Sequence, residues 1–163
     1  MKPQSCFTLA MALCLTLPGV TALADDAQAI QGTWQPLRLM ESGELAPPEL
    51  IQSFRLKIDT DSLTMMEVGS DEEDRLVLGY QLDPTQSPKH INLIIEEDGE
   101  VETIKGIYKI EAGKLLMVFN EDEAAEAQRP TAFVSEDSID GSPNNILMEM
   151  VRPGAAPQTK PAN

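Results

Sequence analysis

Residues 76–119 read LVLGYQLDPTQSPKHINLIIEEDGEVETIKGIYKIEAGKLLMVF, and this stretch decides the fold. Leu76, Leu78, Tyr80 and Leu82 alternate with Val77, Gly79 and Gln81 and so share one face. A period of two marks a half-buried strand, because successive side chains leave a pleated backbone on opposite sides. Asp83-Pro84 and Ser87-Pro88 frame a loop, after which Ile91, Leu93 and Ile95 alternate in the same way. Asp98-Gly99 has the chemistry of a two-residue hairpin turn. It leads into a strand over Val101 to Ile110, which Glu111-Ala112-Gly113 turns back into a strand carrying Leu115, Met117 and Phe119 on one face. Consecutive strands joined by short links form an antiparallel meander.

The same reading extends in both directions. Upstream, Thr33 to Glu41 is a strand ended by Ser42-Gly43, and Pro47 and Pro48 open a short helical turn over Glu49 to Gln52. Proline is tolerated there because the first turn of a helix has no use for its missing N–H. Phe54, Leu56 and Ile58 alternate with Arg55, Lys57 and Asp59, and Asp59 to Ser62 turns the chain into a strand over Leu63 to Val68. Downstream, a loop rich in Glu and Ala crosses to Arg129-Pro130. Ala132 to Val134 reads as a short extended piece, and Asn145 to Arg152 as the last strand. No stretch sustains a long helical period, which argues against a parallel α/β sheet. Eight antiparallel strands can close into a barrel, and closure removes the exposed edges that invite aggregation. The expected fold is an all-β, eight-stranded lipocalin-like barrel with one short helical turn; the alternative is a β-sandwich of two four-stranded sheets.

The first 24 residues have the order of a signal peptide. Lys2 gives the positive start, Phe7 to Leu17 is an apolar run too short to span a bilayer, and Ala22-Leu23-Ala24 is a small-x-small cleavage pattern. Leu13 ahead of Cys14 is too bulky for a lipidation signal. The expectation is cleavage between Ala24 and Asp25, a β domain over 25–152, a disordered tail over 153–163, and a periplasmic or extracellular location. Both cysteines, Cys6 and Cys14, lie in the segment removed, so the mature chain has no disulfide, thiolate nucleophile or cysteine-ligated metal.

The chain carries 27 acidic and 12 basic residues, a net charge of −15. Loss of Lys2 with the signal segment makes it −16. Such a surface repels phosphate backbones and anionic lipid, which disfavours nucleic-acid and membrane partners.

Four stretches occur in a suggestive order: Gln31-Gly32-Thr33-Trp34; Leu82-Asp83-Pro84 with Pro88-Lys89-His90-Ile91-Asn92-Leu93; Gly106-Ile107-Tyr108; and Arg129-Pro130-Thr131-Ala132-Phe133. Together they resemble an uncharacterised lipocalin-like domain family of planctomycete bacteria, over about Ala29 to Arg152. The resemblance implies a lipocalin-like barrel and often export, with no known activity, ligand or catalytic residue. Gly32-x-Trp34 is also similar to the element that opens true lipocalins, in which the Trp closes one barrel end beneath a cation from a late strand. By that likeness Gly32, Trp34 and Arg152 form a structural plug, with Arg129 the second choice for the cation. A guanidinium over an indole contributes about 0.5–2 kcal/mol.

Chemistry-bearing motifs are sparse. His90 is the only histidine, and no nucleophile elbow or phosphate-binding Gly loop accompanies it. A site with two or three histidines on a metal is impossible within one chain. The acidic runs Asp71-Glu72-Glu73-Asp74 and Glu121-Asp122-Glu123 lack the alternating ligands and Gly of a calcium loop. Met65, Met66, Met117, Met148 and Met150 suggest soft copper(I) ligands, but Met117, Met148 and Met150 fall on apolar strand faces, where methionine fills gaps. The expectation is no enzyme, no cofactor and no metal.

Two functions compete. One is binding of a small apolar ligand, with Tyr80 and Tyr108 offering polar contacts at a barrel mouth. The other is a filled barrel that acts as a structural or interaction module for other exported proteins. The inward set Phe54, Leu56, Ile58, Leu76, Leu78, Tyr80, Leu93, Tyr108, Met117, Phe119 and Met148 is large for an eight-stranded interior, so any cavity is expected to be small.

Overall fold

The structure, a computed structural model, describes residues 25–69, 71, 75–120, 128–135 and 145–154. Residues 1–24, on which the expected signal peptide and its cleavage fall, most of both acidic runs and residues 155–163 of the expected tail lie outside the described residues.

Helix α1 covers 25–30. The strands follow as β1 (Gly32–Glu41), β2 (Glu44–Leu45), β3 (Phe54–Ile58), β4 (Ser62–Glu67), β5 (Leu76–Asp83), β6 (Lys89–Glu97), β7 (Glu100–Glu111), β8 (Lys114–Asn120) and β9 (Asn145–Val151), with α2 (Pro48–Ser53) between β2 and β3. Eight strands pair antiparallel in the order β1-β3-β4-β5-β6-β7-β8-β9, and β9 returns to β1, which closes the barrel. This excludes the sandwich. The two-residue β2 is an extra strand outside the ring, paired with the end of β1.

The eight barrel strands are those the alternation predicts, and α2 brackets the expected helical turn. Three links, Ser42-Gly43, Asp98-Gly99 and Ala112-Gly113, place both central residues at positive φ. That conformation matches the twist of the flanking strands and makes tight hairpins. The reading of Ala132 to Val134 as extended is corrected: the chain bends there without strand pairing. A closed ring offers no free edge for an added strand at that position.

Register shows which side chains face inward. Trp34 pairs with Leu56, Leu56 with Met65, Leu63 with Leu78 and Tyr80 with Leu93. The chain of inward partners continues through Leu93 and Ile104, Tyr108 and Met117, then Met117 and Met148. Along β1 the alternation slips between Pro36 and Arg38, so Trp34 and Leu39 both face in although they are five positions apart. An extra residue in one strand produces this flip, a β-bulge. Inward positions are mainly apolar and outward ones include Arg38, Arg55, Lys57, Gln81, Asn92 and Lys105. That is the reverse of a transmembrane barrel, whose outside is apolar.

A second, smaller apolar cluster lies on the outside. Ile107, Val118 and Leu147 are buried there against Met40 and Phe133. The segment 128–135 covers them as a strap, and it is pinned along its length. Arg129 donates to the carbonyls of Ile91 and Gly106 and to the Asn92 side chain. Asn120 donates to the carbonyl of Gln128, and Ser135 links the Gly43 N–H to the carbonyl of Asn145. Burial of apolar outward positions is thus achieved without a second sheet.

Candidate functional site

The two ends of the barrel differ. At the end where β1 begins, α1 packs over the interior and Ile30 is fully buried. The Trp34 indole N–H donates to the Ile30 carbonyl at 2.7 Å. The Arg152 guanidinium lies 4.0 Å from the centroid of the Trp34 ring and donates to the carbonyl of Ala29. Gly32 has φ 113, and a Cβ there would collide with the Arg152 Nη1 atom. Only glycine meets both demands, because φ in this range strains other residues. Arg129 is elsewhere, in the outer strap.

A buried polar group completes this end. Tyr108 is fully buried and its hydroxyl donates to Asp26 at 2.5 Å. The Lys89 ammonium reaches both Asp26 carboxylate oxygens, at 2.9 and 2.7 Å. Lys89 and Tyr108 are register partners on β6 and β7, so their side chains rise on the same inner face to meet the helix. Burial, then the hydrogen bond to Asp26 and its charge, push the Tyr108 hydroxyl well above its ordinary pKa. The Tyr80 hydroxyl is also committed, to the carbonyls of Asp59 and Thr60 in the β3–β4 turn. Burial and the charges of Asp61 and Asp59 raise its pKa. A ligand contact at Tyr80 or Tyr108 would therefore compete with bonds that hold the covered end together.

The opposite end has the other character. Inward-facing Leu39, Phe54, Met65, Ile95, Ile104 and Ile146 pack on the core yet remain partly exposed. Leu76, also inward by register, is 52 % exposed at the rim. One level deeper, Leu78, Leu93, Phe119 and Met148 are buried, and Leu56, Met117 and Leu115 are fully so. At the Trp34 end the inward-facing Tyr80, Leu82 and Ile110 are also only partly buried, but α1 packs over that end. Among the described residues the gradient opposite Trp34 makes a partly exposed apolar ring, the candidate mouth, above a buried floor, near α2 and its exposed Leu50. The large inward residues expected to fill the interior do so at the floor and the covered end, while Phe54 and Leu76 stand at the mouth.

Beyond this apolar ring the inward register positions change to acids: Glu41 opposite Ile146, Glu67 opposite Phe54, Glu102 opposite Ile95 and Glu97 opposite Glu100. All of them are exposed. Sequence reading did not single these residues out, because the register that brings them to one rim joins strands far apart in the chain. Asp26 and Lys89 were missed for the same reason.

His90 stands on the outer face of β6 beside its partner Asp83, near Arg129. Burial and the Arg129 charge lower its pKa, and Asp83 opposes them. Asp83 itself accepts from Thr85 and Gln86, which hold its carboxyl below the usual range. This arrangement stabilises the loop that starts at Asp83. Among the described residues no three His, Cys, Asp or Glu side chains gather into a metal-holding group. Met117, Met148 and Met150 are buried in the apolar core.

Comparison with protein-family models, with curated proteins and with solved structures finds no match to this chain.

Proposed function

We propose that this protein is an exported, non-catalytic binding protein that takes the aliphatic part of a small ligand into the mouth opposite Trp34. One observation carries the reading: inward-facing apolar side chains that lose their solvent exposure step by step from the rim to a buried floor. Eight-stranded barrels are either filled by their own side chains or hold one small ligand, and the partly exposed apolar ring at this end supports the second case. The ligand is accordingly shallow-seated and apolar, and its polar end stays at the rim. Export rests on Lys2, the apolar run Phe7 to Leu17 and the Ala22-Leu23-Ala24 pattern. Membership of the lipocalin-like family named above rests on the four ordered stretches and belongs to the same proposal.

A second reading has its own support. The fully buried interior, with Tyr108, Met117 and Leu115, favours a filled barrel whose surface contacts other exported proteins. Native mass spectrometry of the protein purified from its own cells separates the two. The binding reading expects one small apolar molecule per chain, released by organic solvent. A bare protein mass, together with no saturable uptake of an uncharged aliphatic probe, overturns it in favour of the filled module.

A further inference from the structure

We infer that the ligand of this mouth is a cationic amphiphile, an aliphatic chain ending in an ammonium or similar positive head. The inference rests on the binding reading above and adds the chemistry of the head group. The apolar ring gives no preference among neutral, anionic and cationic amphiphiles, because burial of a chain depends on area alone. The rim does. Glu41 on β1, Glu67 on β4, and Glu97 and Glu102 on the β6–β7 hairpin occupy inward register positions immediately outside the apolar ring. The basic side chains of this half of the barrel, Arg38, Arg55 and Lys105, hold outward register positions, and Arg75 lies just ahead of β5. An aliphatic chain seated on Met65, Ile95 and Ile104 thus leaves its head among carboxylates, with Arg38, Arg55 and Lys105 on outward register positions. A carboxylate head there meets like charge at short range, and a net charge of −15 adds to the repulsion.

The test is a titration of the whole protein with decylamine, decanol and decanoate, read by displacement of an uncharged fluorescent probe. The expected order of affinity is amine, then alcohol, then carboxylate, with about a tenfold gap between amine and alcohol at low salt. That gap shrinks as salt is raised, because rim charges are exposed to screening. The quadruple variant Glu41→Gln, Glu67→Gln, Glu97→Gln, Glu102→Gln brings the amine down to the alcohol. Butylamine, which has the head without the chain, does not compete. Equal affinity for amine and alcohol overturns the inference and leaves the binding reading intact. A preference that survives in the quadruple variant places the cation elsewhere and also overturns it. Failure of all three decyl compounds overturns the binding reading itself.

Discussion

The Tyr108 hydroxyl donates a 2.5 Å hydrogen bond to the carboxylate of Asp26, joining two residues 82 positions apart. The bond ties α1 to β7, and Lys89 on β6 holds the same carboxylate. Because Tyr108 is fully buried, loss of its acceptor leaves a polar group without water or a partner. Asp26→Ala is expected to cost about 1–3 kcal/mol, the penalty for a buried donor left unpaired. Tyr108→Phe removes the donor as well as the bond and should cost less. Urea midpoints of the two variants check this; a larger loss for Tyr108→Phe would contradict the role given to the pair.

Trp34 closes the same end beneath Arg152. Trp34→Ala should cost about 3–5 kcal/mol as a large-to-small change in a packed site. Arg152→Ala loses the ring contact and the bond to Ala29, about 1–2 kcal/mol in sum. Thermal or urea unfolding reads both. A wild-type midpoint for Trp34→Ala would show that α1 and the indole do not seal the barrel.

Gly106 faces inward on β7, where Phe119 packs directly on its Cα. A Cβ there would come within 2.6 Å of Phe119 Cε1 and 2.7 Å of the Val118 carbonyl oxygen. Gly106→Ala is therefore expected to destabilise by about 1–3 kcal/mol through overpacking. Adding Phe119→Leu should return part of that loss, because the ring is one of the two obstacles. A double variant no better than the sum of its parts would locate the strain in the backbone alone.

Stability should depend on pH through His90. Folding weakens proton binding there, mainly by burial and then by the Arg129 charge. The stability linked to His90 is thus fully present above its ordinary value of 6.5 and declines as pH falls below it. Comparing urea midpoints at pH 7.5 and 5.5 should show a loss in the wild type that His90→Gln reduces. An unchanged slope in the variant would assign the loss to other groups.

Much of this architecture is legible locally. Phe54, Leu56 and Ile58, or Leu115, Met117 and Phe119, announce strands because each alternates in or out of the core. Closure is less legible, since the β1–β9 pairing joins Leu39 to Met148 and no local period reports a partner so distant. The bulge after Pro36 shifts the inward set of β1 by one, and simple alternation puts Leu39 on the wrong side. Ile107, Val118 and Leu147 face outward yet are apolar, which makes sense only once Phe133 and the strap cover them. Three of the four stretches that carry the family resemblance meet in the fold, and the first holds Arg152. Arg129 bonds Asn92 and the carbonyls of Ile91 and Gly106, Lys89 joins Tyr108 at Asp26, and Trp34 seats Arg152. Their physical work is architectural. The mouth lies at the other end of the barrel and uses residues such as Met65, Ile104 and Glu102, which no motif marks. α1 had one local signal, an Asp pair ahead of Ala27 to Ile30, the acidic start that suits a helix N-terminus.

The central claim is that an apolar ligand seats at the end opposite Trp34. Methyl NMR of the protein labelled at Met and Ile, titrated with decanol, tests it most directly. Met65, Ile95, Ile104 and Ile146 should shift in a saturable, one-to-one manner, while Ile30, Met117 and Met150 stay in place. Shifts centred on Ile30 and Met150, or no saturable shift at any methyl, would contradict it.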